Sequence, residues 1–299
     1  MKIDDILQEL TYLKTGHFPR EALEAAIAHR EAVTPHLLRT LEDAPRTLER
    51  LTTEEDYMLP FYACYLLAQF REMRAYPLIV AFFAQPGERP VDVMGDFVTE
   101  DLGRVLASVS GGDTTPMKTL IEDPQVNEYT RAAAMGGLIT LFVEDAMPRE
   151  AVIDYFRELF QGGLERDFSH VWNALVSYSN DLYPAELLPE VRQAFAEDLV
   201  DDVMSIDLAW IEQVLDEGKV ETLARLRANR HYHYVEDTIK EMEWWACFQP
   251  PRPKPPPAPP RPSSPASSAV TPRPAPLPKK KKVGRNDPCP CDSGRKYKH

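Results

Sequence analysis

Along the first residues of the chain, apolar side chains recur three and four positions apart: Ile3, Ile6, Leu7, Leu10 and Leu13. That spacing puts them on one stripe of a helix, with Asp4 and Asp5 at the end where the helix dipole favours acids. A helix is therefore predicted over 2–13, stopped at Gly16. Pro19 opens a second helix carrying Leu23, Ala26 and Ile27. Thr34-Pro35 reads as an N-cap with proline at the first helical position, opening a third through Leu37, Leu38 and Leu41.

From about residue 57 the predicted helices come in pairs. Residues 58–70 are followed by 75–84, with a break at Pro86-Gly87. Residues 97–109 stop at Gly111-Gly112 and lead, after Thr115-Pro116, to a short helix through Glu122. Residues 128–143 are followed by a helix opened by Pro148 and closed by Gly162-Gly163, and 168–180 by one over about 184–199. First helices thus start near 58, 97, 128 and 168, a loose period that fits the ~40-residue helical hairpins of HEAT-like arrays. A further hairpin turns around Gly218, and a last helix is predicted over 234–248, where Trp244 and Trp245 read as a buried plug over the final hairpin or, alternatively, as an exposed docking surface.

Small residues fall in the first helices (Ala63, Ala132 to Ala134, Gly136, Gly137, Ala174), where neighbours must approach closely. Bulky ones fall in the second (Phe82, Phe83, Phe156, Phe160, Phe195). No alternating run of strand length with hairpin turns occurs. The expected class is all-α, with hairpins stacked as a HEAT-like solenoid over 1–249. An irregular bundle with chance spacing is the competing reading.

After Gln249 the composition changes. Residues 250–278 hold 14 prolines among Ser, Ala, Arg and Lys, a mixture that cannot bury a core and is expected to run as disordered polyproline II and coil. Lys279 to Lys282 follow. The expected boundaries are a helical domain 1–249, a disordered linker 250–282 and a terminal segment 283–299. The formal charge of -13 conceals two opposed parts: 22 Lys and Arg against 45 Asp and Glu before Pro250, and 12 against 2 from Pro250 onward. An acidic body binds nucleic acid poorly, because affinity there comes largely from neutralising phosphates. The basic tail, Lys279 to Lys282 above all, keeps nucleic acid open as a partner, alongside an acidic protein, anionic lipid, the chain's own acidic body or a merely solvated spacer.

Cys64 and Cys247 lie in apolar surroundings, so there is no disulfide framework. The N-terminus lacks the continuous apolar core of a secretory signal, and the longest apolar run, 76–84, is far short of the ~20 residues that span a bilayer. A reducing cytoplasm is the expected compartment.

Cys289 and Cys291 are held one residue apart by Pro290, and two soft thiolates at that spacing suit Zn²⁺. The stretch Val283-Gly-Arg-Asn-Asp-Pro-Cys-Pro-Cys-Asp-Ser-Gly-Arg-Lys-Tyr-Lys-His299 resembles the SEC-C motif, a small zinc-binding module found at the C-terminus of the SecA translocation ATPase and on many unrelated bacterial proteins. The resemblance implies ligands in the order Cys-x-Cys-x8-Cys-(His or Cys). Cys289 and Cys291 match the first two, the third would follow His299, and Asp292 stands where a glycine is usual. The open arrangements are recruitment of His299 and water, two chains supplying two cysteines each, or a shortened form of a longer chain. In SecA the module goes with zinc and with docking to a chaperone, so the resemblance implies an adaptor role. Body and tail together are similar to bacterial helical proteins of unknown function that end in this motif.

Catalytic signatures are missing: no Gly-x-Gly-x-x-Gly, Walker loop, Gly-x-Ser-x-Gly or His-Glu-x-x-His. His231 and His233, with Glu236 and Asp237 close by, form the one cluster resembling a metal-ligand set. The competing reading is a loop entering the last helix, since no helical spacing joins the two histidines. The function expected is therefore a non-enzymatic cytoplasmic adaptor with a protein partner. A metal-dependent enzyme around 231–237, or nucleic-acid binding through the tail, are the alternatives.

Overall fold

The computed structural model describes residues 1–201 and 206–250. The chain divides into a unit of Met1–Pro251 and a second of Arg252–His299. The proline arm, Lys279 to Lys282, Cys289 and Cys291 lie outside the described residues.

Among the described residues every regular element is helical, and pairing of extended backbone is confined to the isolated bridges Tyr12–Tyr57 and Lys14–His17. The first elements are α1 (Ile3–Thr11), α2 (Arg20–Ala28), α3 (Arg30–Glu42), α4 (Ala44–Thr53), α5 (Leu59–Gln69) and α6 (Ala75–Phe83). Then come α7 (Arg89–Met94), α8 (Asp96–Glu100), α9 (Leu102–Val109), α10 (Thr115–Glu122), α11 (Glu128–Val143) and α12 (Arg149–Glu158). The last are α13 (His170–Asp181), α14 (Leu188–Ala196), α15 (Leu208–Glu217), α16 (Lys219–Arg227) and α17 (Thr238–Met242). Their starts follow capping chemistry. Asp43, Asn127, Asp207 and Asp237 each accept a hydrogen bond from an otherwise free amide of the first turn of α4, α11, α15 and α17.

The all-α class holds, and four expected details change. Pro35 lies inside α3, which already begins at Arg30; Thr34 is no cap, because its hydroxyl donates back to the Arg30 carbonyl at 2.6 Å. Helices α4 and α7 had no predicted counterpart. The single helix expected over 97–109 breaks at Asp101 into α8 and α9, where Tyr65 Oη (2.6 Å) and Arg104 Nη1 (2.8 Å) both donate to the Asp101 carboxylate. The long last helix shrinks to α17, because side chains take the amides that would have propagated it. Tyr234 N donates to Glu144 Oε1 at 3.1 Å and Val235 N to Ser108 Oγ at 3.0 Å.

Helix α11 is the centre of the core. All its residues from Thr130 to Val143 are buried, as a helix that is apolar on every side requires, and it packs against α8, α9, α10 and α13. The α9–α11 crossing brings backbones into contact: a Cβ on Gly103 would sit 2.6 Å from the Ala133 carbonyl oxygen and 3.0 Å from the Gly137 amide nitrogen. The small residues expected at close approaches lie there.

Residues 230–249 form a strap that runs back over earlier helices. Arg104 donates to the His233 carbonyl and to Glu241, Arg71 to the Val235 carbonyl, and Gln69 accepts from Thr238 N. Phe248 meets Phe18 edge-on at 5.1 Å, and Gly16 N donates to the Cys247 carbonyl at 3.0 Å. Some sequence-adjacent helices pack together, α1 with α2 and α10 with α11, and others pack across an intervening one, α3 with α5 and α9 with α11. This return strap adds contacts between distant parts of the chain that a nearest-neighbour stack does not have.

Candidate functional site

The strap leaves a groove between itself and the helices it crosses. At one end α5 contributes Phe61, α8 contributes Asp96, Phe97 and Glu100, and the strap contributes Trp244 and Trp245, around a cavity of ≈ 400 Å³. Glu100 and Trp244 also border a second cavity of ≈ 420 Å³ over Gly103, Gly136 and Tyr178. Thr99, Ala133, Tyr178 and Tyr232 link this to a third of ≈ 250 Å³ beside Tyr129 and His170. The three cavities thus lie side by side over α8, α9, α11 and α13.

Its first segment is aromatic. Phe61 stands perpendicular to Phe97 (6.2 Å, 89°) and to Trp245 (6.1 Å, 88°), and Tyr65 beneath them meets Trp245 at 5.8 Å. Trp245 is thus held by α5, near the start of the stack, and does not plug the final hairpin. Trp244 is 53% exposed at the rim. The sequence reading of a buried Trp pair is corrected for Trp244, because the chain leaves α17 at Glu243 and only one of two adjacent indoles can face inward.

The polar groups differ in how they are satisfied. Arg104 is 6% exposed; burial opposes the charge of its guanidinium, but Glu241 and Asp101 outweigh that and hold it above its ordinary value. Tyr65 is raised well above a normal phenol, by burial first and by the facing Asp101 second. Asp96 and Glu100, in contrast, are exposed, and among the described residues no basic side chain pairs with either. In the third segment His170 lies 4.6 Å from the Tyr129 ring, and burial pushes its value down despite Glu128. Asp181, which accepts from Tyr232 Oη at 3.0 Å, is raised by burial.

The residues proposed as a metal set are not brought together. His231 is exposed on a short 3-10 turn, Arg230–Tyr232. His233 Nδ1 faces Glu144 Oε1 at 2.8 Å and its Nε2 faces the Arg227 carbonyl at 2.9 Å. Glu236 pairs with Arg71, and Asp237 caps α17. Among the described residues no three His, Cys, Asp or Glu side chains gather to hold a metal. That corrects the alternative drawn from residues 231–237, and its cause is local: His233, Glu236 and Asp237 are engaged in strap contacts, and the His231 side chain is exposed. Cys64 is buried, its thiol pushed up to about 12 by burial, and Cys247 borders the aromatic cavity with its thiol also raised by burial. No helix among the described residues is long and apolar enough to cross a membrane.

Sequence reasoning missed Phe61, Phe97, Asp96 and Glu100 as neighbours of the two tryptophans. One signal was present: two acids four residues apart on a short helix, with no basic residue between them.

Comparison with known proteins adds two family matches. The model of a family described as a protein of unknown function, DUF1186, matches residues 1–249, and that of the SEC-C motif matches residues 285–299. An uncharacterized protein of Chlamydia trachomatis serovar D is 39% identical over 245 residues, covering 82% of this chain and 96% of its own. A second, from Chlamydia muridarum, is 39% identical over 245 residues, 82% of this chain and 97% of its own. The protein translocase subunit SecA of Nitrosomonas europaea is 28% identical over 175 residues, 58% of this chain but 16% of that protein. No solved structure matches.

Proposed function

This chain belongs to the DUF1186 family and carries a SEC-C motif, and on that premise we propose that it is a non-enzymatic cytoplasmic adaptor whose helical body docks a partner protein in the strap-bordered groove. The observation that carries this reading is the groove itself: adjoining hollows, aromatic-lined at one end, bordered by an exposed tryptophan, the kind of concave aromatic surface that anchors partners. The engagement of His233, Glu236 and Asp237 in structural contacts speaks against a catalytic metal there.

In this reading the chain works in three parts: the body 1–249, a tether 250–282 and the finger 283–299. Zinc would be held by Cys289 and Cys291, whose thiolate donors suit it, with remaining ligands from His299 and water or from a second chain. The metal would fold the finger and supply no reaction chemistry. At ~3.1 Å per residue the proline arm reaches up to roughly 90 Å when extended. A weak finger contact would therefore gain affinity once the body is docked, through effective concentration.

The relatives support a separable body. The aligned stretch makes up 96% of the Chlamydia trachomatis protein, which leaves almost no chain there for a tail.

The test is capture of partners by cross-linking in cells, with three forms compared: the full chain, Trp244→Ala, and a chain lacking 250–299. The expected result is loss of the main partner with Trp244→Ala and weakened capture with the deletion. Unchanged capture by Trp244→Ala overturns the groove as the docking site.

A further inference from the structure

Resting on the docking reading above, we propose that the groove takes a basic, extended segment of a partner protein, with an Arg or Lys side chain of that segment held between the aromatic cluster and the carboxylates of Asp96 and Glu100. The argument starts from what the cavity lacks. Its floor is Phe61, Phe97 and Trp245, and its polar groups are carboxylates. Both oxygens of Asp101 are already taken by Tyr65 and Arg104, which leaves Asp96 and Glu100 as exposed acceptors. These two stand four residues apart on α8, on the same face of the helix, where like charges repel.

Elsewhere in the body the acids beside arginines are used. Glu186 pairs with Arg149, Glu165 with Arg131, Glu197 with Arg166 and Glu236 with Arg71. Among the described residues no cation pairs with Asp96 or Glu100; Arg104 is taken by Asp101 and Glu241, and Arg230 lines the adjoining second cavity. A cation brought by a ligand relieves the repulsion and meets ring faces that attract it within about 6 Å.

The charge of the body points the same way. With 22 basic against 45 acidic residues before Pro250, its field draws cationic partners and speeds their encounter. It disfavours phosphates, nucleic acid and acidic peptides. Length decides between a small cation and a peptide. The aromatic cavity shares Glu100 and Trp244 with the second, and the second shares Thr99, Ala133, Tyr178 and Tyr232 with the third, a row of neighbouring hollows suited to an extended chain.

The experiment uses three acetylated ten-residue peptides in which proline alternates with Arg, with Gln or with Glu. Proline keeps each extended without adding amide donors. Each is titrated by calorimetry into the full chain and into residues 1–250, which hold the whole described core. The expected result is that the Arg peptide binds at least tenfold more tightly than the Gln peptide in both proteins, that the Glu peptide does not bind, and that added salt weakens the Arg peptide. The double change Asp96→Asn with Glu100→Gln, at two exposed sites, should cost the Arg peptide tenfold or more without lowering the unfolding midpoint. Equal binding of the Arg and Gln peptides, or an unchanged affinity in the double variant, overturns the proposed ligand class. The docking reading then still stands if Trp244→Ala loses partner capture, and falls with it if capture is kept.

Discussion

Arg104→Met tests whether the strap is held to the stack by buried charge. In the folded chain the guanidinium donates to the His233 carbonyl at 2.7 Å, to Asp101 at 2.8 Å and to Glu241 at 2.7 Å. Methionine fills much of the space and removes every donor. Glu241 keeps 25% of its side-chain surface in solvent and can rehydrate, whereas the Asp101 side chain has 11% and is left as a charge without its cation. Removing one partner of a buried pair costs about 3–5 kcal/mol. For a domain of this size each kcal/mol lowers the thermal midpoint by about 2–4 °C, so a fall of about 10 °C is expected by calorimetry. Proteolysis of the folded protein should cut first within residues 230–245. Adding Asp101→Asn to Arg104→Met should restore part of the loss, because it removes the stranded charge while keeping an acceptor for Tyr65. A midpoint shift below about 3 °C, or a double variant less stable than the single by the full cost of Asp101→Asn alone, would refute the reasoning.

Gly103→Ala places a methyl group 2.6 Å from the Ala133 carbonyl oxygen; since the obstacle is backbone, α9 must move off α11, and about 1–3 kcal/mol should be lost in urea denaturation. Glu186 is held down to about 2 by Arg149, against burial that would raise it. Its contribution is complete above the ordinary carboxylate value of 4.5 and fades as pH falls toward about 2, so the stability gap between wild type and Glu186→Gln should close over that window. A gap of constant size would show that the pairing adds nothing. For the finger, metal analysis of the purified chain should find zinc that is lost in Cys289→Ser and in Cys291→Ser, and zinc retained by both variants would place it elsewhere.

Much of the helical body was legible because its signals are local. Glu128 to Val143 is bounded by an Asn cap and filled with apolar and small residues, and α11 has those limits. Gly218 divides α15 from α16 for the same reason, its φ of 95° suiting a residue without a side chain. What failed to show was set by partners far along the chain. Residues 234–248 carry enough apolar spacing for a helix, but Ser108 and Glu144 compete for their amides, and neither is visible from the segment itself. Likewise nothing near Trp244 and Trp245 names Phe61 or Phe97 as their neighbours. The histidine pair stayed an alternative in the sequence because proximity along the chain does not fix convergence; in the fold His233 turns inward to Glu144 and His231 outward.

The strap also fixes when the groove can exist. Its aromatic end joins Phe61 and Phe97 to Trp244 and Trp245, so one wall is made early in synthesis and the other at the close of the body. Contacts between such distant positions slow folding. While the polypeptide is emerging, Phe61, Tyr65 and Phe97 are without their cover, and this nascent stage is where misassociation and chaperone capture are to be expected. Completion of the strap and completion of the groove become one event, so that a polypeptide ended before the strap would not display it.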